Sequence, residues 1–420
     1  MAGPFFGPSS LQWQAWPCQC QRWCSPQSAG WCAVVDTALT HPDRHYREGA
    51  AELLLGDGFF REDSRPARDC SVLLAWHQAT VSQRMEPLHW LDLMAGCGIR
   101  ALRWGLEASQ ACCHPPQISV NDADGDRLPL LQHNLRPVAG ACCSNRSAEQ
   151  LLSHAHAKGQ FYDLIDLDGF GQPGGLIQPA LQTLAFDGIL VLASTDGRSP
   201  TGHDRRGAIR HFGSSARAHP SSWEVALRQQ LGLVARQAWM LGRGVQPLLS
   251  FSDGRTFRLA IRLTRTLQNR QEALLGLLAR CDACGAQVNQ PLLRLRDWPA
   301  CHCPKGEGHW LISGPLWLGP LQDLELLAEL RGSPVPLAQA TRRLLDRLQA
   351  DPGEPATVWS TAELARRSGQ ATPSLQALVM ALRDAGHQAW SSGLMPGQVR
   401  TDANLPELLQ TCARLQGEGL

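Results

Sequence analysis

The residues with the most chemical content lie in one short stretch, Phe161-Tyr-Asp-Leu-Ile-Asp166-Leu-Asp168-Gly169-Phe170-Gly171-Gln-Pro173. An apolar run here ends in two carboxylates, an aromatic residue and a glycine-flanked turn, as expected where a buried strand meets the carboxyl edge of a sheet. Such a set could serve the alkylation of an amino group attached to an aromatic ring. That nitrogen is a poor nucleophile because its lone pair is delocalised into the ring. A carboxylate aimed at the N–H draws electron density back onto nitrogen, takes the proton as the new bond forms and holds the nitrogen in line for attack. Asp168 is the candidate for that task, and Phe170 could stack on the ring. The plainer alternative makes Asp168 a turn cap and Phe170 a core residue.

A second motif precedes it. Leu91-Asp-Leu-Met-Ala-Gly96-Cys-Gly98-Ile-Arg100 ends one strand and opens a helix, and its glycines would let the backbone approach a ligand closely. Farther on, Asn121-Asp122 ends the next strand, where an acidic side chain can accept hydrogen bonds from both hydroxyls of a cofactor ribose. A nicotinamide-binding enzyme would share both devices. Asp122 could also simply cap the helix near Leu128, a role equally open to Asp124.

Cysteines and arginines supply two further clusters. Cys281-x-x-Cys284 is followed, seventeen residues later, by Cys301-His302-Cys303, so four thiolates could surround one zinc ion. The Cys-x-Cys half is irregular, which leaves His302 and His309 as alternative ligands and reduced, unliganded thiols as the bland reading. The loop after the fifth strand carries Arg198, Arg205, Arg206 and Arg210, where guanidinium groups could meet RNA phosphates. An ordinary solvated face would have the same composition.

Elements that must position these residues follow from the hydrophobic pattern. Apolar runs at His89 to Met94, Ile118 to Val120, Phe161 to Leu167 and Gly188 to Ser194 alternate with helical stretches near Leu128 to Leu135 and Leu176 to Leu184. That rhythm predicts a doubly wound, mostly parallel α/β sheet. Helices at Ala208 to Phe212 and Trp223 to Leu241 precede two more strands, Val245 to Phe251 and Phe257 to Leu263. The stretch Gly314-Pro-Leu-Trp-Leu-Gly-Pro320 matches no regular element. Beyond it, helices at Leu337 to Leu348, Thr361 to Arg367 and Ser374 to Ala385, followed by extended segments, suggest a winged-helix-like module.

Composition narrows the class. The 420 residues leave room for two domains, and the formal net charge of +1 gives no global case for nucleic acid, so an RNA site would have to be a local patch. Lysine occurs only at Lys158 and Lys305, a bias that reads as genomic composition more readily than as selection for phosphate binding. No apolar run is long enough for a membrane span and no secretory signal is evident, so a cytoplasmic protein without membrane contact is expected. Fifteen cysteines in such a chain point to a metal site and buried thiols. Residues 1–40, rich in Trp and Cys, look like a loosely packed extension; residues 41–270 and 271–420 are expected to form two domains.

Taken in chain order, these motifs resemble the tRNA (guanine-26 N2)-dimethyltransferases, from about Glu48 to the C-terminus. That family's Arg-Asp before its first helix matches Arg68-Asp69, its Gly-Ile-Arg turn matches Gly98 to Arg100, and its Asn-Asp matches Asn121-Asp122. Its Asp-Leu-Asp-Pro-Phe-Gly aligns with Asp166 to Gly171, Thr-Asp with Thr195-Asp196, and Pro-Leu-Leu-Ser with Pro247 to Ser250. Gly314 to Leu321 and Thr401 to Ala403 complete the set. The resemblance implies a Rossmann-like, seven-stranded class I methyltransferase domain followed by an α+β domain, often with a four-cysteine zinc site, that grips transfer RNA. It further implies S-adenosylmethionine as methyl donor, contacted by Arg68, Arg100 and Asp122 with Gly96, Gly98 and Asp166 beside them. Ala148 would lie against the adenine, and Asp168 would be catalytic. Reaching a guanine inside folded RNA would require flipping it out of its stack.

The departures are specific. Gly169 replaces the family's proline, Ser147 stands where an acidic residue would meet the adenine amino group, and Ala67 replaces an asparagine. Two other readings stay open on the sequence: a methyltransferase of this fold acting on another nucleic-acid amino group, and a non-catalytic RNA-binding protein with a degenerate cofactor site. No obligate protein partner is expected.

Overall fold

The apolar runs between residues 89 and 264 fall side by side as strands of one sheet, and the mixed stretches between them become the helices that cover it. A computed structural model describes residues 44–268, 270–301, 303, 308–369 and 371–417. The proposed extension at 1–40 and His302 lie outside these residues. A short hairpin, β1 (His45–Glu48) and β2 (Ala51–Leu54), leads into helix α1 (Arg65–Val81). The chain continues through β3 (His89–Asp92), α2 (Ile99–Leu106), β4 (Gln117–Asn121), α3 (Arg127–Asn134), β5 (Ala141–Ser144) and α4 (Ala148–Ala157). Next come β6 (Tyr162–Leu167), α5 (Gly174–Thr183), β7 (Leu184–Ser194), α6 (Arg205–Phe212), α7 (Ser222–Met240), β8 (Gly244–Ser252) and β9 (Phe257–Thr264).

The seven strands lie in the order β5-β4-β3-β6-β7-β9-β8. The first five pair in parallel, and β9 runs antiparallel to both its neighbours, β7 and β8. Helices on both faces bury the central strands, which explains their unbroken apolar runs. Trp90, Leu91, Leu164, Ile165 and Leu190 are wholly inaccessible. Because the chain winds outward from β3 and then crosses back to β6, the strand order reverses between these two. The crevice at that switch point is where such sheets bind ligands.

After the sheet, β10 (Leu275–Cys281), β11 (Gln287–Pro291) and β12 (Trp310–Trp317) form a three-stranded antiparallel sheet in the order β11-β10-β12. Helices α8 (Leu324–Arg331) and α9 (Gln339–Gln349) follow. The chain closes with β13 (Val358–Ser360), α10 (Thr361–Ser368), α11 (Leu375–Asp384), β14 (Ala389–Ser391), β15 (Gln398–Thr401) and α12 (Leu405–Gly417). Strands β13-β15-β14 make a small antiparallel sheet beside α10 and α11, the winged-helix-like arrangement that the sequence suggested.

Two expectations need correction, and one strand of the expected seven had not been placed. Arg68-Asp69 lies inside α1 rather than ahead of a helix, because Pro66 occupies the first turn, where its missing N–H costs nothing. Gly314 to Trp317, expected to be irregular, belongs to β12 and pairs with β10 across a register shift. The seventh strand of the large sheet is β5, Ala-Cys-Cys-Ser, an edge strand too short and too exposed to carry an apolar signature.

From Arg44 onward the chain is one compact unit, held by buried ion networks. Arg103, with no exposure, pairs with Glu48, Asp69 and Glu107, and the other oxygen of Asp69 accepts from Ala338 N and Thr341 Oγ1 of the α9 region. Arg400 pairs with Glu224 of α7 and with Asp351. Breaking a buried pair of this kind by removing one partner costs about 3–5 kcal/mol, because the other charge is left unsatisfied. Among the described residues, no helix is long and apolar enough to cross a membrane.

Candidate active site

Three loops meet at the carboxyl edge of β3, β4 and β5, and one buried side chain joins them. Asn121, at the end of β4, donates to Leu93 O (3.1 Å) and Arg146 O (2.9 Å) while accepting from Ser144 Oγ (2.8 Å) and Arg146 N (3.2 Å). The glycine turn is built on this frame. Gly96 and Gly98 have φ of 58° and 79°, left-handed values that a side chain would strain. Gly98 also faces Leu131, whose Cδ2 would lie 2.9 Å from an added Cβ, whereas the space around Gly96 is open. Asp122 Oδ2 accepts from Gly96 N (2.8 Å) and Oδ1 from Asp124 N (2.9 Å), so its carboxylate spans the two loops.

Ser147 is the N-cap of α4 and forms a capping box with Gln150, which commits its hydroxyl to the helix. Ala148 is buried in the first turn of α4. Arg68 is also buried and turned toward the hairpin: its Nε and Nη2 bind Glu48, its Nη1 binds Arg61 O, and its guanidinium lies 4.7 Å above the Phe60 ring. The expected cofactor residues thus divide. Gly96, Gly98, Asp122, Ser147 and Ala148 lie on the loops at this edge, while the Arg68 guanidinium is bound to the hairpin and to Arg61.

On the β6 side the site is made of charges. Arg100, in the first turn of α2, places Nε 3.3 Å from Asp166 Oδ2 and forms an ion pair with Asp168 through Nη2. Asp168 is paired again with Arg258 Nη1 at 3.1 Å. Burial by itself would raise the Asp168 pKa, but the two guanidinium groups more than offset it and bring the value down to about 2. Asp168 is therefore an ionised carboxylate at neutral pH. Asp166 moves the other way, raised by burial and by the charge of Asp168, and its Oδ2 accepts from Ser71 Oγ at 2.6 Å. Asp92, its register partner across β3 and β6, is pushed up to about 8, chiefly by burial.

Among the described residues, the buried carboxyl oxygens Asp92 Oδ2 and Asp166 Oδ1 find no hydrogen-bond partner. Orphaned acceptors at a ligand crevice call for a donor. Together with the open space over Gly96 and the remaining lone pairs of Asp122, they fit a ligand that carries hydroxyls and an ammonium group.

The turn after β6 is pinned where it leaves the sheet. Thr195 Oγ1 accepts from Gly171 N (2.6 Å), and Thr195 N donates to Gly171 O (2.8 Å). Phe170 projects outward with 77% of its surface exposed and meets Phe59, 71% exposed, edge to face at a centroid distance of 5.3 Å. Two bare aromatic rings beside an ionised carboxylate make a platform for a flat, amino-bearing ring.

Sequence reasoning missed Asp92, Arg258, Phe59 and the full reach of Asn121. An arginine inside the apolar strand Phe-Arg-Leu-Ala-Ile-Arg-Leu-Thr was a readable signal, since a buried charge needs a partner. Nothing in the sequence could have paired Phe59 with Phe170.

Arg198, Arg205, Arg206 and Arg210 are all exposed on the segment that begins at the end of β7 and runs into α6, and none forms an ion pair among the described residues. The four cysteines do come together: Cys284 and Cys301 Sγ are 3.0 Å apart, Cys301 and Cys303 3.1 Å, Cys281 and Cys303 3.5 Å. All four sulfurs lie within 4.8 Å of one another, and His309 is not among them. Backbone N–H groups of Cys284 and Ala286 point at Cys281 Sγ and Cys284 Sγ.

Known proteins resemble this chain over most of its length. At 27% identity over 81% of this chain and 85% of its own length, a tRNA (guanine(26)-N(2))-dimethyltransferase of Methanocorpusculum labreanum is similar to it. One of the same name from Methanoregula boonei is 29% identical over 83% of this chain and 89% of its own. A solved structure of Trm1 from Pyrococcus horikoshii with S-adenosyl-L-methionine superposes with a TM-score of 0.75 at 22% identity, covering 88% of this chain and 99% of that one, and establishes the shared fold. The model of the N2,N2-dimethylguanosine tRNA methyltransferases matches residues 56–413, and the chain belongs to that family.

Proposed function

We propose that the protein methylates the exocyclic amine of a guanine in transfer RNA, adding one or two methyl groups from S-adenosylmethionine at the position the curated relatives modify, guanine 26. The observation that carries the reading is Asp168, ionised between two arginines, one residue from the bare ring of Phe170. When bound, the cofactor supplies an electrophilic methyl group. Asp122 would bind its ribose hydroxyls, the unpaired oxygen of Asp166, with Asp92 beside it, would accept from its ammonium group, and Ala148 would pack against its base.

Phe170 and Phe59 stack on the flipped guanine and keep its amino nitrogen in the plane of attack. Asp168 accepts a hydrogen bond from that nitrogen, which localises its lone pair, and then takes the proton. A carboxylate with so low a pKa is a weak base, and a weak base suffices, since an alkylated aromatic ammonium is itself strongly acidic. Arg100 and Arg258 hold the carboxylate in place and keep it charged while the base docks. Arg198, Arg205 and Arg206 bind phosphates beside the crevice, and the region after residue 270 grips the body of the tRNA. A cytoplasmic site of action accords with that substrate.

Cys281, Cys284, Cys301 and Cys303 fit one structural Zn(II). A tetrahedral site with Zn–S bonds of about 2.3 Å has sulfurs about 3.8 Å apart, which the four sulfurs, spaced from 3.0 Å to at most 4.8 Å, reach with small adjustments, and N–H donors on the thiolates are the expected support. Elemental analysis should find one zinc per chain. A thiol-rich, metal-free protein with unchanged melting temperature after chelation would remove the zinc from this account.

The decisive experiment is methyl transfer from labelled cofactor to unmodified tRNA transcripts, with nucleosides identified by mass. N2-methyl- or N2,N2-dimethylguanosine, lost in Asp168→Ala, is the expected product. Transfer to another base, or cofactor binding without transfer to any tRNA, would overturn the reading.

A further inference from the structure

We propose that Met94 is a positioning residue, whose thioether fills the space left by Gly169 and so sets how close the turn bearing Asp168 and Phe170 stands to the cofactor loop. The inference rests on the methyl-transfer reading above and names a further residue for that reaction.

Met94 sits in a loop whose backbone is held on both sides. Leu93 N donates to Asp166 O at 3.1 Å, and Ala95 N donates to Asn121 O at 2.9 Å. Its half-buried side chain points toward the end of β6: a Cβ added to Gly169 would collide with Met94 Sδ and lie 3.2 Å from its Cε. Gly169 is not among the residues with positive φ, so the backbone there does not demand glycine. The sulfur does. The turn is fixed at Asp168 by Arg100 and Arg258 and at Gly171 by Thr195, and between those pins Gly169 faces the thioether. One flexible side chain therefore bridges the loop that cradles the cofactor and the turn that carries the catalytic carboxylate and the exposed ring.

A thioether is unbranched and deformable, so a methyl group at 169 should displace it without unfolding the protein. The displaced group, or the turn pushed off it, would alter the approach of the amino nitrogen, and a shift of about 1 Å costs on the order of a hundredfold in rate.

The test is a cycle of wild type, Gly169→Ala, Met94→Ala and the double variant, each measured for kcat on tRNA, cofactor Kd and melting temperature. Gly169→Ala should lower kcat roughly ten- to a hundredfold, with Kd and melting temperature little changed. Adding Met94→Ala should recover much of that loss. An unchanged kcat in Gly169→Ala, or losses that simply multiply in the double variant, would overturn the proposal. Peroxide oxidation of Met94, followed by peptide mass, reads the contact without turnover: it should run several-fold faster in Gly169→Ala, and equal rates would also overturn it. A wild-type chain inert on every tRNA would sink the methyl-transfer reading, while the oxidation comparison would still decide the contact.

Discussion

The two halves of the crevice are built on different physics. On the β4 side Asn121 and Asp122 accept and donate neutral or backbone hydrogen bonds within the protein, and the loops are tied to one another whether or not a ligand is present. On the β6 side two guanidinium groups and three carboxyl groups share a small volume, two carboxyl oxygens lack partners, and two aromatic rings stand bare. The first half is a finished cradle and the second is held in tension by charges that a substrate must join. Binding and chemistry should therefore separate under mutation, because one half can be damaged without the other.

The largest effect should come from Asp168→Asn, which keeps the shape and removes the charge. We expect kcat to fall by about 10²–10⁴-fold while cofactor affinity stays within a few-fold; isothermal calorimetry beside single-turnover methyl transfer would show it. Equal losses in both would mean that the halves are one site. Asn121→Ala attacks the cradle instead. It leaves several buried groups unpaired and should cost about 2–4 kcal/mol of stability, read by urea unfolding, with a weaker cofactor Kd and near-normal kcat at saturating cofactor. A variant that binds cofactor normally would show that the hub is dispensable.

Phe170→Ala tests the platform. Losing one stacking partner should raise the KM for tRNA about tenfold, in line with roughly 1–3 kcal/mol per stacked base, and leave the cofactor Kd alone. The last test concerns Asp92 and reads stability alone. Its folded pKa of about 8 lies above the ordinary 3.8, so the native state keeps a proton that the unfolded chain has released. Its contribution to stability is full below about pH 4 and is lost as pH rises toward 8. Asp92→Asn removes this slope. Relative to wild type, the variant's melting temperature should gain progressively over that window, and a constant difference would place the proton elsewhere.

Much of this molecule could be read from the chain. Alternation of apolar runs with helical stretches identifies the parallel sheet because both of its faces are buried. Gly96, Gly98, Asp122, Asp168 and Phe170 stand out because turns, strand ends and amine chemistry demand those residue types at those places. The failures are equally specific. β5 was invisible because a four-residue, half-buried edge strand needs no apolar pattern, and β12 was missed because Gly314 and Pro315 read as breakers, although they sit at its register shift against β10 and Gly314 pairs with Ser215.

The chain by itself determined which strands and turns would exist, since periodicity and backbone freedom are local properties. Tertiary structure alone decided which charges would meet. Arg258 reaches Asp168 across ninety residues, Phe59 reaches Phe170 across more than a hundred, and Asp92 becomes a proton-holding acid chiefly because the sheet buries it, with Asp166 of β6 alongside adding to the shift. Burial and through-space fields act between neighbours in the fold, and the order of residues along the chain does not record them.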